Sequence, residues 1–379
     1  MSLFGKLTAR QFLRGYWQKK PFLIRQALPE FVSPLSPEEL AGLACEEAVE
    51  SRIVTTTNNS ACPWQLRNGP FTESDFATLG DKDWTLLVQD CQRYDEQVAA
   101  LLKHFDFIPQ WRLDDIMISY ATPGGSVGPH IDQYDVFLIQ AMGERRWQID
   151  SQATTKNNLY AGCELDILQE FNAEEEWLLA PGDMLYLPPQ LAHYGVAMNN
   201  CMTLSVGFRA PSHQEMLTAY LETLSQQQQE QQRFTDPHRG LPENNAEIEA
   251  TDIEQFSDYL KTQLNDQAVI ADVFGRLVTE AKHPDWFEPS EHDKTHILQQ
   301  GIYLDQDVRL AFIREHYYHI RLFANGESLD VSPPVARLVP LLCQQRQLLP
   351  AEYQDVIDTA EFDLLIDFLM EHGLLAHED

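Results

Sequence analysis

The stretch GPHIDQYDVFLIQAMGERRWQI (residues 128–149) decides the fold. Two short runs with strand character, DVFLIQAM (135–142) and RRWQI (145–149), are broken at Gly143. At the head of the first run His130 and Asp132 stand two residues apart. Residues i and i+2 of a strand project from one face, so this imidazole and this carboxylate can converge on one ion. Working outward, further short strands appear at IMISY (116–120), DMLYL (183–187) and MTLSVGF (202–208), punctuated by Gly, Pro and Asn. Many short strands with turn signals predict a β-barrel or jelly roll rather than a parallel α/β sheet.

A second segment, PGDMLYLPPQLAHYG (181–195), brings in His193 after a Gly-Asp turn, an apolar strand and a Pro-Pro loop. Two histidines and one carboxylate on one octahedral face leave three positions open, the donor set of non-haem Fe(II) oxygenases. The glycine-rich TPGGSVGPH (122–130) is no phosphate loop, because the Lys and Ser/Thr of such loops do not follow it on a helix. A flexible or closely approached loop beside the metal pocket is the expectation.

Upstream, Thr8 is a candidate N-cap for a helix carrying Phe12, Leu13 and Tyr16, and Pro21 is expected to stop it. Phe22, Leu23 and Ile24 follow as a buried strand, and Ser36-Pro37 opens a second helix. After Pro211 the texture becomes helical. Met216, Leu217, Tyr220, Leu221 and Leu224 form a stripe, a Gln-rich run covers 226–232, and a second helical stretch is expected from about Asp252 to Lys282. A hairpin centred on Asn325-Gly326, then helices, give the outline of a small α+β module of winged-helix type. The organisation read from this is 1–210 for the β-rich domain with its N-terminal helices and strands, 211–285 for a helical region, and 286–379 for the winged-helix-like domain.

The chain has 379 residues with 44% hydrophobic and 22% charged, enough to bury a core, and excludes a disordered or fibrous protein. With 27 basic against 58 acidic residues the net charge is −31, which repels phosphate backbones and would draw in a basic protein partner. Six scattered cysteines without a CxxC pair fit buried thiols in a reducing compartment better than a disulfide framework. With no apolar run long enough for a membrane span and no leader pattern, the expectation is a soluble, cytoplasmic protein.

On these motifs the sequence resembles the JmjC-type, 2-oxoglutarate- and Fe(II)-dependent oxygenases of the cupin superfamily. It is most similar to their bacterial ribosomal branch, hydroxylases of an arginine in large-subunit ribosomal protein sixteen. Besides the two ligand segments, FLRGYWQKKPFLIRQA (12–27), SPEELAGLACEEAVESRIV (36–54), NGPF (68–71) and WTLLVQD (84–90) carry the likeness. The resemblance implies a double-stranded β-helix core, a helical dimerisation region and a C-terminal winged-helix-like domain. It implies that His130, Asp132 and His193 hold Fe(II), and that Arg145 takes the distal carboxylate of 2-oxoglutarate, with O2 as the other co-substrate. A guanidinium suits that task because it pairs with a carboxylate through two hydrogen bonds.

The strand MTLSVGF puts Thr203, Ser205 and Gly207 on one face, a small polar lining on which Ser205, or else Thr203, can add a hydroxyl to the same carboxylate. For an arginine-bearing substrate, Asp115 and Asp135 are the candidate carboxylates and Tyr134 a packing surface. The partners implied are a basic ribosomal protein and a second copy of the chain, with no nucleic acid and no membrane. Fold and ligands alone leave open a histidyl hydroxylase or lysine demethylase on the same scaffold, and a non-enzymatic cupin-like binding protein.

Overall fold

The computed structural model describes residues 3–57, 61–153, 156, 158–227, 233–289, 294–316 and 319–376; part of the Gln-rich run (228–232) lies outside them. They fall into two compact units, Met1–Ala210 and Pro211–Asp379.

The first unit is built on twelve strands: β1 (Phe22–Ile24), β2 (Ser51–Thr56), β3 (Trp64–Asn68), β4 (Trp84–Val88), β5 (Leu113–Ala121), β6 (His130–Ile131), β7 (Asp135–Met142), β8 (Arg145–Asp150), β9 (Glu175–Leu179), β10 (Met184–Leu187), β11 (Ala192–Ala197) and β12 (Cys201–Phe208). Eight form one sheet in the order β1-β10-β7-β12-β5-β4-β2-β3, and the rest form a second, β6-β11-β8-β9. All pairings are antiparallel. This is the double-layered β core that the short-strand pattern predicts.

Central strands are buried on both faces. Phe137 and Ile139 of β7, with Met202, Leu204 and Val206 of β12, join Phe4, Phe12, Phe105 and Tyr186 in the large core under the N-terminal helices. The alternate residues Val136 and Leu138 meet Trp147, Ile149, Leu185 and Leu187 between the two sheets. Thr8 and Ser36 both close capping boxes, with Pro37 in the first turn of the second helix. The first helix ends at Gly15, ahead of Pro21.

One expectation about the thiols is corrected. Cys62, beyond β2, and Cys163, in the β8–β9 connection, form a disulfide with Cα atoms 5.5 Å apart, closing a separation of 101 residues. Trp64 and Tyr160 pack edge to face beside it. The other four cysteines are free. Only the folded topology brings this pair together, so spacing could not reveal it.

In the second unit the helices His213–Gln227, Ala250–Gln263 and Gln267–Thr279 precede a two-stranded pairing of β13 (Ile302–Tyr303) with β17 (Gln347–Leu348) and the sheet β14 (Leu310–His316), β15 (His319–Ala324), β16 (Glu327–Val331). The β15–β16 turn puts Asn325 and Gly326 at φ 47° and 85°, the left-handed pair a two-residue hairpin requires. The helical stretch expected from about Asp252 to Lys282 consists of two helices, because Asp266 accepts from the N–H groups of Ala268 and Val269 and starts a new one. Contacts run across the boundary expected at 285. Gly275 lies against the Phe323 ring, and Arg276 donates to Glu327 and Ser328, so the helical region and the winged module share one body. Among the described residues no helix is long and apolar enough to cross a membrane.

Candidate metal centre

β6 and β11 pair with His130 directly opposite His193. Their rings lie 4.3 Å apart, centroid to centroid. Asp132 follows β6 and completes the cluster: Nε2 of His130 is 3.7 Å from its Oδ1 and Nε2 of His193 is 3.5 Å from its Oδ2. The three ligand atoms lie within 4.8 Å of one another, close enough to hold one metal ion, the only such group among the described residues.

Each histidine is oriented in the same way. Nδ1 of His130 lies 3.0 Å from the Gly128 carbonyl, and Nδ1 of His193 lies 2.9 Å from the Leu191 carbonyl. A carbonyl only accepts, so Nδ1 carries the proton in both rings and Nε2 presents its lone pair to the cluster. Burial, reinforced by His130 and opposed by Asp132, pushes the His193 imidazole down to about 4, so it is neutral at pH 7 and able to ligate.

Arg145 opens β8 and is buried, whereas its neighbour Arg146 faces outward toward Glu176. Nη1 of Arg145 donates to the Ser119 hydroxyl of β5, 3.4 Å away. Its Nε and Nη2 are buried and have no partner. A buried guanidinium with two such nitrogens fits an anion, and the donor set of two imidazoles and a carboxylate fits Fe(II).

The polar face of β12 lines the same space. Thr203 is opposite Ser119, and Ser205 is opposite Met117. The Thr203 hydroxyl is committed to Gln140 Oε1 at 3.1 Å, which leaves Ser205 the better placed of the two for a ligand. Next along this face, a Cβ on Gly207 would lie 3.3 Å from Oδ1 of Asp115. Asp115 and Ser119 share a face four residues apart on β5, about 13 Å along the strand. Tyr134 is half exposed. Partial burial, then the carboxylates of Asp132 and Asp115, raise its phenol pKa.

Asp135 does not join them. It is 1% exposed and lies on the face of β7 opposite Val136 and Leu138, turned into the large core. Tyr186 Oη donates to its Oδ1 at 2.6 Å, and Gln18 Nε2 and Arg112 Nη2 donate to Oδ2 at 2.9 and 3.2 Å. Both carboxylate oxygens are engaged, so the expectation that Asp135 contacts substrate gives way to a role in tying β7 to the N-terminal segment.

Sequence reasoning missed Ser119, Gln140 and Trp147. The alternation Asp115-Met117-Ser119 was the available signal for the first, and the alternation Arg145-Trp147-Ile149 for the last. Of the two alternatives for the glycine loop, flexible or closely approached, the geometry matches the second. Gly124 and Gly125 are hydrogen-bonded to Ala197, and a Cβ on Gly125 would lie 2.2 Å from the Trp84 carbonyl. The close approach there is made by the chain's own backbone.

A family model described as a JmjC domain matches residues 100–216, and one described as a ROXA-like winged helix matches residues 262–376. The chain is 34% identical to the Escherichia coli (strain K12) ribosomal protein uL16 3-hydroxylase, over 96% of this chain and 95% of that one. It is equally 34% identical to a probable ribosomal oxygenase of Haemophilus influenzae, over 86% and 82%. Among solved structures, the E. coli ribosomal oxygenase YcfD in complex with cobalt and 2-oxoglutarate aligns with a TM-score of 0.84 at 31% identity, covering 99% of both chains.

Proposed function

The chain belongs to the JmjC ribosomal oxygenases, and from that premise we propose that it is a 2-oxoglutarate- and Fe(II)-dependent hydroxylase acting on an arginine of large-subunit ribosomal protein uL16. The observation that carries the reading is Arg145. A buried guanidinium with two unpartnered nitrogens, in the same inter-sheet space as a His-Asp-His cluster, calls for a carboxylate-bearing ligand of the metal.

His130, Asp132 and His193 would hold Fe(II) through two Nε2 atoms and one carboxylate. Arg145 would bind the distal carboxylate of 2-oxoglutarate, with the hydroxyls of Ser119 and Ser205 beside it and Thr203 bracing Gln140. The bound iron, with 2-oxoglutarate and O2, supplies the oxidising power to hydroxylate an unactivated C–H bond while 2-oxoglutarate becomes succinate and CO2. The protein's part is to orient and to exclude water: apolar Leu138, Leu185, Leu187 and Trp147 close the inter-sheet space around the polar donors. Asp115, with Tyr134 as a packing surface, would receive the guanidinium of the substrate. The net charge of −31 favours encounter with so basic a protein in the cytoplasm.

We further propose a homodimer through the helical region. Leu217 and Leu221 on one helix, and Ile253, Phe256 and Leu260 on the next, are exposed apolar side chains at helical spacing.

The test is incubation with uL16, Fe(II), 2-oxoglutarate and O2 beside a His130→Ala control, read by peptide mass spectrometry. One added oxygen on a single arginine, absent from the control, supports the reading. Oxygen on a histidine would move the protein to the histidyl-hydroxylase class. Absence of succinate from iron-loaded protein would overturn the enzyme assignment.

A further inference from the structure

Trp147 occupies the middle of the pocket wall. Arg145, Trp147 and Ile149 alternate along the inner face of β8 and are all buried. Across the pairing with β11, Ile149 lies opposite His193 and Trp147 opposite Gly195. The indole is therefore one step along the strand from Arg145 and one from the His193 level. Its ring centroid is 5.9 Å from the His193 ring, and the Arg145 guanidinium carbon sits 5.7 Å above it.

The absence of a side chain at position 195 sets the ring's orientation. A Cβ there would lie 2.7 Å from Cη2 and Cζ3 of Trp147 and 2.9 Å from Cε3. Those are carbons of the benzene edge, so the pyrrole N–H is on the edge away from β11. Trp147 is 5% exposed, and its Nε1 is buried without a hydrogen-bond partner. Buried indole N–H groups ordinarily find an acceptor, because leaving one unmet is costly. Together with Nε and Nη2 of Arg145, the same strand face presents three buried, unpartnered donors between its first residue and the metal cluster.

We infer that Trp147 is a positioning residue whose indole N–H donates to a carboxylate oxygen of the co-substrate. The inference rests on the 2-oxoglutarate reading above. Arg145 anchors one end of the dicarboxylate by charge, and the metal takes the other. A neutral donor between them restricts rotation of the chain about its anchor, which is how a fixed hydrogen bond contributes to orientation. Neither a leucine nor a phenylalanine, though each could fill the space over Gly195, would supply it.

The test uses the full chain loaded with Zn(II), which is diamagnetic and does not turn over. Calorimetry with 2-oxoglutarate compares wild type with Trp147→Phe, which keeps the ring and removes the N–H. The expected result is a Kd for 2-oxoglutarate raised about tenfold with zinc affinity unchanged. In 13C,15N-labelled wild-type protein, the Trp147 indole N–H resonance, assigned by intraresidue connectivity to its own backbone, should move downfield on addition of 2-oxoglutarate. An unchanged Kd in a folded Trp147→Phe variant, or a Trp147 resonance that stays put while wild type saturates, overturns the inference and leaves the enzyme reading intact. If the variant does not fold, the wild-type resonance decides. Failure of zinc-loaded wild type to bind 2-oxoglutarate at all would sink both.

Discussion

Arg145 on β8 and Ser119 on β5 meet across the space between the two sheets, guanidinium to hydroxyl at 3.4 Å. Ser119 in turn donates to the Thr203 carbonyl at 3.3 Å, so the cation is steered by a hydroxyl that is itself anchored to β12. The contact fixes which way the guanidinium fork faces without using the Nε and Nη2 that a carboxylate would need.

Arg145→Ala should weaken 2-oxoglutarate binding by about 100-fold, the loss of two charge-assisted hydrogen bonds. Arg145→Lys should recover only part of it, since an ammonium has no fork. Calorimetry on zinc-loaded protein measures both, and the metal stoichiometry should stay at one in each variant. Equal affinity in wild type and Arg145→Ala would remove the arginine from the co-substrate site.

Asp135 and Asp115 should separate cleanly. Asp135→Ala strands Arg112 and the Tyr186 hydroxyl in a buried setting and should cost about 3–5 kcal/mol of stability. Asp115→Ala should raise KM for the protein substrate. Urea denaturation and initial rates distinguish the two; a stable, KM-defective Asp135→Ala would restore that residue to the substrate pocket.

For the Cys62–Cys163 bridge, chain-entropy arguments for a loop of this length give a ceiling of about 4.7 kcal/mol. Oxidised wild type should therefore lose stability on addition of reductant, whereas Cys62→Ser should start lower and be indifferent to it. Denaturation curves with and without dithiothreitol, beside alkylation and mass analysis, make the comparison.

The dimer proposal predicts that Leu221→Glu combined with Phe256→Glu halves the sedimenting mass while 2-oxoglutarate affinity in the other unit is retained. Unchanged sedimentation would place the subunit contact elsewhere.

Much of the candidate metal site was legible because its chemistry is local. His130 and Asp132 are adjacent in the chain, and the segment leading to His193 announces itself by Gly-Asp and Pro-Pro. What the sequence hid was phase. Every residue of β7 from Asp135 to Ala141 is buried, so alternation there carried no mark of which side faces the pocket, and Asp135 was a candidate from its position alone. Ser119, Gln140 and Trp147 become meaningful only once strand pairing sets them opposite Thr203 and Gly195. The Cys62–Cys163 pairing was hidden for the same reason: it depends on which loops meet in space. By contrast the break at Asp266 was readable as a capping residue and was overlooked within a long amphipathic pattern.

Both imidazoles of the candidate metal centre take their bearing from a main-chain carbonyl two residues earlier, Gly128 for His130 and Leu191 for His193. Among the described residues, the hydrogen bond that fixes each imidazole comes from the backbone rather than from a side chain. The mutational target for loss of metal is consequently small: the three ligands, and the few positions, such as Gly128 at φ 84°, where a replacement would twist the carbonyl itself. The bearing of the two rings is thus set by the main chain, separately from the side chains that line the walls around them.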